Sequence, residues 1–127
     1  MRYVLDTDVL IEMARNNTVV SEQIRQLRHG GHSLCYSPVT RAEIYAGLRP
    51  GEETSTAQLL ARFTCLSIDA SVGEQAGLYM RKHSSSYGLE VADALIAASC
   101  VLADAALITF NVRHYPMPDL EFHHLKR

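Results

Sequence analysis

Acidic side chains follow or interrupt the apolar segments of this chain at three places. Asp6 and Asp8 come directly after the apolar run Tyr3–Leu5, Glu43 lies in SPVTRAEIYAGL, and Asp93 lies in LEVADALIAASCVLA. Each acid alone has a structural explanation, because aspartate caps helices and any acid is favoured in a first helical turn. Two like charges about 4 Å apart, however, repel by about 4 kcal/mol at an effective dielectric near 20. If these carboxylates converge, they need a divalent cation, and oxygen ligands favour Mg²⁺ or Mn²⁺ over Zn²⁺.

Asp93 is the acid that is hardest to explain as a purely structural residue. Residues 91, 92 and 94 to 98 around it are all apolar, and a helix that is apolar nearly all round is a buried helix. An unpaired carboxylate there costs several kcal/mol by desolvation, whereas a place in the first turn returns only about 0.3–1 kcal/mol. The sequence therefore predicts that an arginine or a metal ion compensates Asp93.

Glu43 can be assigned in two ways. The segment TRAE matches a capping box, but Ser37 followed by Pro38 is a better helix start, with an N-cap serine and proline at the first helical position. If the helix begins there, Glu43 lies in its second turn and has no capping role. Structural and functional explanations of Glu43 are then equally open.

Short apolar runs alternate with longer amphipathic segments along the chain. This alternation predicts a parallel sheet covered by helices on both faces, in which ligands bind beyond the carboxyl ends of the strands. Asp6 and Asn111 lie at such ends. The predicted strands are Arg2–Leu5, Ser33–Tyr36, Cys65–Ile68 and Ala106–Thr109, with a short edge strand over Glu121–His124. The predicted helices cover 7–15, 18–29, 38–49, 52–63, 70–83 and 90–103.

Length and composition restrict the class of protein. The chain has 127 residues, 47% of them apolar and 20% charged, with a net charge of −2, which predicts one globular domain. That charge argues against a strong non-specific nucleic-acid binder, but not against an enzyme that reaches a phosphodiester through a bound cation. The absence of a signal-peptide pattern and of a membrane-length apolar run predicts a cytoplasmic protein. Cys35, Cys65 and Cys100 form no CxxC pair and are predicted to be reduced core residues.

Four segments together resemble the PIN-domain ribonucleases, and specifically the VapC-type toxins of prokaryotic type II toxin–antitoxin systems. These segments are YVLDTDVLIE, SPVTRAEIYAGL, VADALIAASC and LITFNVRHY. They occur in the order and at the spacing of the family, so the resemblance spans essentially the whole chain. It implies an α/β fold over residues 1–127, a PIN-like three-layer α/β/α sandwich with a short central parallel sheet.

The resemblance also implies a set of site residues. Carried over position by position, the acidic metal site falls on Asp6, Glu43 and Asp93, and the fourth polar position of the catalytic set falls on Asn111, where many members have aspartate. Asp8 departs from the family pattern, because asparagine, serine or threonine is commoner at its place. We infer that Asp8 restores the negative charge that Asn111 lacks and that it belongs to the metal ligands.

The implied activity is a Mg²⁺-dependent endoribonuclease, with Mn²⁺ as the alternative ion, that hydrolyses RNA phosphodiesters by metal-activated water. Arg15, Arg41 and Arg113 are candidates for contacts to RNA phosphates, although a solvated surface charge is the commoner explanation for each. The implied partners are a VapB-type antitoxin, whose C-terminal segment covers the acidic site, and a second copy in a homodimer. Operator DNA is expected to be contacted only through the antitoxin, and no membrane is involved.

Two alternatives remain open from the sequence. The strand followed by Asp6 and Asp8 also resembles the first motif of haloacid-dehalogenase-type phosphohydrolases, in which one aspartate attacks phosphorus and the next is an acid and base. That class needs a lysine near the phosphate, and neither Lys82 nor Lys126 follows a strand. The other alternative is a non-catalytic PIN domain that binds RNA or a partner, which the neutral Asn111 keeps open.

Overall fold

The structure, a computed structural model, describes residues 1–127 except for the side chains of residues 84–87. Four parallel strands form one sheet in the order β3-β2-β1-β4. Their bounds are β1 Arg2–Leu5, β2 Ser33–Tyr36, β3 Thr64–Cys65 and β4 Ala106–Ile108.

Six helices connect and cover the strands, as the alternating pattern predicts. They are α1 Thr7–Ala14, α2 Thr18–His29, α3 Pro38–Ala46, α4 Glu53–Leu60, α5 Ala70–Tyr87 and α6 Val91–Leu102, and a 3-10 helix follows at Val112–His114. Within the described residues, none of these helices combines the length and the apolarity that a membrane span requires.

The sheet separates two apolar cores, which confirms the three-layer architecture. Successive side chains of a strand point to opposite faces, so Val4 packs in one core while Tyr3 and Leu5 pack in the other. The Val4 core is completed by α5 and α6, and the opposite core by α1, α2 and α4. β1 is covered on both faces. Asp6, the residue that follows it, therefore lies at an enclosed position at the edge of the sheet.

The pairing register brings the ends of β1 and β4 to the same edge of the sheet. Leu5 pairs with Ile108, and the Asp6 N–H extends the ladder by donating to the Ile108 carbonyl at 2.9 Å. Residues separated by about a hundred positions in sequence, those after β1 and those after β4, therefore become neighbours.

Two predicted strands are shorter than expected. The third was predicted over Cys65–Ile68 but covers Thr64–Cys65, since its only partner, β2, ends at Tyr36 and turns into α3 at Ser37. The predicted edge strand Glu121–His124 is reduced to a single parallel bridge between Phe122 and Leu107.

The prediction that all three cysteines are core residues is wrong for Cys65, which is exposed on the edge strand β3. Cys35 and Cys100 are buried, as predicted.

Close packing of α6 against the sheet depends on its small residues, and this generates a stability prediction. Ala97 is fully buried in the core with Val4. We expect Ala97→Leu to lower the free energy of unfolding by about 1–3 kcal/mol through overpacking, as measured by urea denaturation. Ala57→Leu, on an exposed position of α4, is the matched control and is expected to change stability by less than about 0.5 kcal/mol. Equal effects of the two substitutions would contradict the packing argument.

Candidate active site

Asp6 is a hydrogen-bonding centre at the carboxyl end of β1. Its side chain is only 6% exposed. One carboxylate oxygen accepts from the Thr7 N–H at the start of α1, so Asp6 is the N-cap of that helix, and the other accepts from the hydroxyls of Thr109 and Tyr115, all three at 2.8 Å. A carboxylate offers about four lone-pair sites. Asp6 is therefore held rigidly by three donors and retains capacity for one further ligand.

Asp8 lies two residues further along, in the first turn of α1, and faces the chain after β4. Its Oδ2 accepts from the Phe110 N–H at 2.9 Å and from the Asn111 side-chain amide at 3.0 Å, while the Thr109 hydroxyl lies 3.4 Å away. Its Oδ1 is buried and has no hydrogen-bond partner among the described residues. Burial, together with the nearby charge of Asp6, raises the pKa of Asp8 to about 6. Asp8 Oδ2 thus organises the loop after β4, and Oδ1 has no hydrogen-bond partner among the described residues.

Asp93 lies in the first turn of α6 and is half-buried. Burial, and then the charge of Asp6, raises its pKa, while the Glu90 backbone and the nearby His114 act in the opposite direction. The arginine that could have compensated Asp93 is not found: where side chains are described, the ion pairs join Arg25 to Glu22 and Arg127 to Glu12. Of the two compensating groups that the sequence allows, an arginine or a metal ion, the metal ion therefore remains.

Glu43 reaches the same region from α3. Ser37 caps this helix by accepting from the Val39 N–H, with Pro38 at the first position, so Glu43 lies in the second turn and the capping-box assignment is excluded. The Thr7 hydroxyl donates to Glu43 Oε1 at 2.7 Å and lies 3.0 Å from the hydroxyl of Thr40. Glu43 is thereby held against the start of α1.

One cleft of about 220 Å³ collects these side chains at the carboxyl edge of the sheet. Sequence reasoning singled out five of its lining residues as site residues, and all five are there. It did not assign Tyr115 or His114, which also line the cleft. Tyr115 is the last residue of the segment LITFNVRHY, but only the fold reveals that its hydroxyl contacts Asp6. The lining residues are Asp6, Thr7, Asp8, Ile11, Glu43, Asp93, Asn111, His114 and Tyr115.

The donor chemistry of the cleft fits a hard divalent cation. Four carboxylates and one amide oxygen converge there. Among the described side chains, one carboxylate oxygen of Asp8 is buried without a partner and no arginine lines the cleft. With the side chains as they stand, no three acids, histidines or cysteines in the described part of the chain are close enough together to form a complete ligand set. Small side-chain rotations or intervening waters are thus required, which suits Mg²⁺, since this ion usually retains several waters.

The three arginines predicted to contact RNA occupy different surroundings. Arg41 donates to the Tyr36 hydroxyl at 2.6 Å and lies 5.4 Å from the ring centroid of Tyr45, on a surface apart from the cleft. Arg113 is exposed on the 3-10 helix. Arg15 lines a groove that adjoins the cleft. All three remain predicted RNA contacts, and Arg15 has the most suitable position.

The phosphohydrolase alternative fits this geometry poorly. A nucleophilic aspartate must turn an oxygen toward phosphorus, but three hydrogen bonds fix both oxygens of Asp6 in one orientation and leave a single lone-pair site. Neither Lys82 nor Lys126 lines the cleft. The Lys126 backbone instead exchanges hydrogen bonds with Gln23 on α2.

The raised pKa of Asp8 predicts a pH-dependent cost in the metal-free protein. Asp8 keeps its proton to higher pH in the folded state than in the unfolded state, so its ionisation lowers the free energy of unfolding. The loss is complete above about pH 6, the raised pKa, and absent below the ordinary pKa range of aspartate. We expect Asp8→Asn, in EDTA at pH 7.5, to raise Tm by about 3 °C, equivalent to roughly 1 kcal/mol after allowing for solvent screening. The gain should shrink at pH 5.

The matched control is Asp104→Asn, an exposed site with a left-handed φ of 52° that asparagine also accepts. It should leave Tm unchanged at both pH values. A pH-independent gain in Asp8→Asn would show that the effect does not arise from ionisation.

Comparison with known proteins agrees with the fold. A family model described as PIN domain matches residues 3–120. Ribonuclease VapC10 of Mycobacterium tuberculosis is 33% identical over 114 residues, covering 89% of this chain and 85% of the relative. Ribonuclease VapC19 of the same species is 29% identical over 119 residues, covering 92% and 95%.

Solved structures show the same architecture. VapBC-1 from nontypeable Haemophilus influenzae superposes with a TM-score of 0.81 at 25% identity, covering 98% of each chain. VapBC2 from Rickettsia felis, bound to a promoter DNA fragment, gives a TM-score of 0.82 at 21% identity over 99% of this chain and 100% of that chain, which shows a shared fold. With a family model that matches nearly its full length, this chain belongs to the PIN-domain family.

Proposed function

We propose that this protein is a Mg²⁺-dependent endoribonuclease and the toxin of a VapBC-type toxin–antitoxin pair. The observation that carries the proposal is the cleft in which Asp6, Asp8, Glu43 and Asp93 converge without an arginine to neutralise them. Such a concentration of negative charge costs stability in the metal-free protein. The family match and the ribonuclease relatives support its interpretation as a nuclease site.

Each side chain has a distinct role in this proposal. Asp6, Asp93, Glu43 and Asp8 hold the cation, directly or through water. When bound, a hard divalent cation activates water and neutralises charge that develops on the phosphate. Tyr115 and Thr109 keep Asp6 in one orientation.

Asn111 completes the proposed catalytic set as a neutral member. Its amide nitrogen donates to Asp8, which leaves the amide oxygen available to a ligand or a water. Asn111 and Asp8 therefore form a pair that carries one negative charge. The charge is on Asp8 of α1, whereas in many family members it would be on an aspartate after β4, at the position of Asn111. This contact supports our inference that Asp8 restores the charge that Asn111 lacks.

The choice of ion follows from the donors. All of the proposed ligands are oxygens, which select Mg²⁺ or Mn²⁺ over Zn²⁺. PIN-domain ribonucleases are generally dependent on divalent metals, and we assign Mg²⁺ as the physiological ion with Mn²⁺ as a substitute.

The proposed partner is a VapB-type antitoxin. An acidic cleft without its own arginine attracts an arginine or lysine of a partner, and solved relatives include VapBC complexes, some of them with DNA. We assign DNA contact to the antitoxin, because this chain has a net charge of −2. A homodimer remains a prediction from the family resemblance, and a cytoplasmic location remains a prediction from the sequence.

Catalysis is tested by removing single charges without changing side-chain shape. We expect Asp93→Asn and Asp6→Asn to lower Mg²⁺-dependent cleavage of structured RNA by at least about a hundredfold, a loss of roughly 2.7 kcal/mol in transition-state stabilisation. Cleavage is followed on denaturing gels, and the control Asp104→Asn should retain full activity. The same variants should relieve any growth arrest caused by expression.

Two outcomes would contradict the proposal. Hydrolysis of a generic phosphomonoester without RNA cleavage would favour the phosphohydrolase. A folded wild-type protein that is inactive on both substrates would favour the non-catalytic binding domain.

The role of Asp8 is tested through metal affinity. We expect Asp8→Asn to weaken Mg²⁺ binding by roughly 10–100-fold, the range typical of groups that support a metal site, measured by calorimetry. The substitution should thus stabilise the metal-free protein and weaken the metal complex. Unchanged affinity would assign Asp8 to loop organisation alone.

A further inference from the structure

We propose that Arg15 and Arg49 bind a phosphate of the RNA strand next to the scissile one, in a groove that adjoins the cleft between α1 and α3. This inference rests on the proposed ribonuclease function and deepens it, since it assigns a substrate-binding subsite. No charge pattern in the sequence indicates such a pair, because the two arginines are far apart along the chain and have different neighbours.

The groove and the cleft are adjacent. The groove has a volume of about 260 Å³, and two of its lining residues, Ile11 and Glu43, also line the cleft. Ile44 and Leu48 contribute apolar surface to the groove. A strand whose phosphodiester lies at the carboxylates would pass Ile11 and Glu43 to reach the arginines.

The two arginines lie at a distance from the carboxylates. Arg15 is the C-cap of α1, whose first turn carries Asp8. A helix rises 1.5 Å per residue, which places Arg15 about 10 Å from Asp8 along the helix axis. Arg49 follows α3, the helix that carries Glu43. The cationic end of the groove therefore meets a phosphate adjacent to the scissile one rather than the scissile phosphate itself.

The guanidinium groups of both arginines are available to a ligand. Neither has an ion pair or a side-chain hydrogen bond where side chains are described, and the charge of Arg15 contributes to lowering the pKa of Glu12, three residues earlier on α1. By contrast, Arg28 stacks on Phe63 and Arg127 pairs with Glu12. Arginine matches phosphate geometry with a two-pronged hydrogen bond. Two guanidiniums in one groove thus offer a phosphate site.

Two acids, Glu43 and Glu52, also line the groove, and neither forms an ion pair with the two arginines among the described side chains. The Thr7 hydroxyl donates to Glu43 Oε1 at 2.7 Å, which holds that carboxylate against the start of α1. Glu52 accepts from the Arg49 backbone N–H at 2.8 Å, so this carboxylate is turned to the loop backbone and holds the segment that presents Arg49. The arrangement also explains how a chain with a net charge of −2 can hold RNA: the attraction is local to the groove rather than spread over the surface.

The experiment measures binding of fluorescein-labelled single-stranded RNA of mixed sequence over a range of KCl concentrations, with Mg²⁺ present. The full chain carries Asp93→Asn so that the RNA remains intact. We expect Arg15→Ala/Arg49→Ala to weaken binding at least about tenfold and to lower the slope of log K against log salt by about 0.7, the value for one neutralised phosphate on a single strand. Arg15→Lys/Arg49→Lys should keep the slope, because the charge is retained.

The matched control is Arg25→Ala/Arg62→Ala, which removes two exposed arginines that line a different pocket, next to α2. The slope should not change. An unchanged slope in the Arg15/Arg49 alanine variant, or an equal decrease in the control, overturns the proposal. If the alanine variant keeps its RNA slope but loses association with an antitoxin, the groove is a peptide site and the proposal also fails.

Cleavage kinetics separate this inference from the proposed function. With Asp93 intact, the alanine variant should show a KM raised about tenfold and a kcat within about twofold of wild type, as expected for lost binding in both ground and transition states. If wild type cleaves no RNA while the slopes behave as predicted, the nuclease proposal fails and the phosphate site stands. If cleavage is normal and KM and slope are unchanged, the phosphate site fails and the nuclease stands.

Discussion

The structure depends on holding a buried carboxylate, Asp6, at the point where the sheet ends. Its three donors come from the start of α1, from the end of β4 and from the chain after the 3-10 helix. The positive end of the α1 dipole favours the same charge. Asp6 therefore joins three parts of the chain, and removing its charge alters the assembly of the whole edge. The capping explanation and the functional explanation of Asp6 do not compete, because one carboxylate serves both.

Sheet topology converts this constraint into a site. β1 lies between β2 and β4, so the residues that follow β1 are flanked by the start of α3 on one side and by the Thr109–Asn111 segment on the other. α6 packs on one face of the sheet and presents Asp93 from its first turn. Carboxylates that repel one another are brought together because each is attached to a rigid element whose apolar packing is worth far more than the repulsion.

The same geometry links stability, metal binding and substrate recognition. An ionised Asp8 with one unpartnered oxygen is unfavourable in the metal-free protein and favourable around a cation. The acidic cleft alone would repel a nucleic acid. In the proposed function, a bound cation and the guanidiniums of Arg15 and Arg49 in the adjoining groove reverse that repulsion at two separate points, and a mildly acidic domain can thereby position an RNA strand.

The sequence by itself determined the alternation of strands and helices, the start of α3 at Ser37 and Pro38, and the acidic residues that line the cleft, because capping, periodicity and family motifs are local in sequence. The sequence predicted too long a strand for β3, because the length of β3 depends on where β2 ends. Only the tertiary structure decided that Tyr115 holds Asp6, that Asn111 donates to Asp8, and that Arg15 and Arg49 share a groove. These contacts join residues that are distant in sequence, and they arise from strand order and helix packing, which no local propensity encodes.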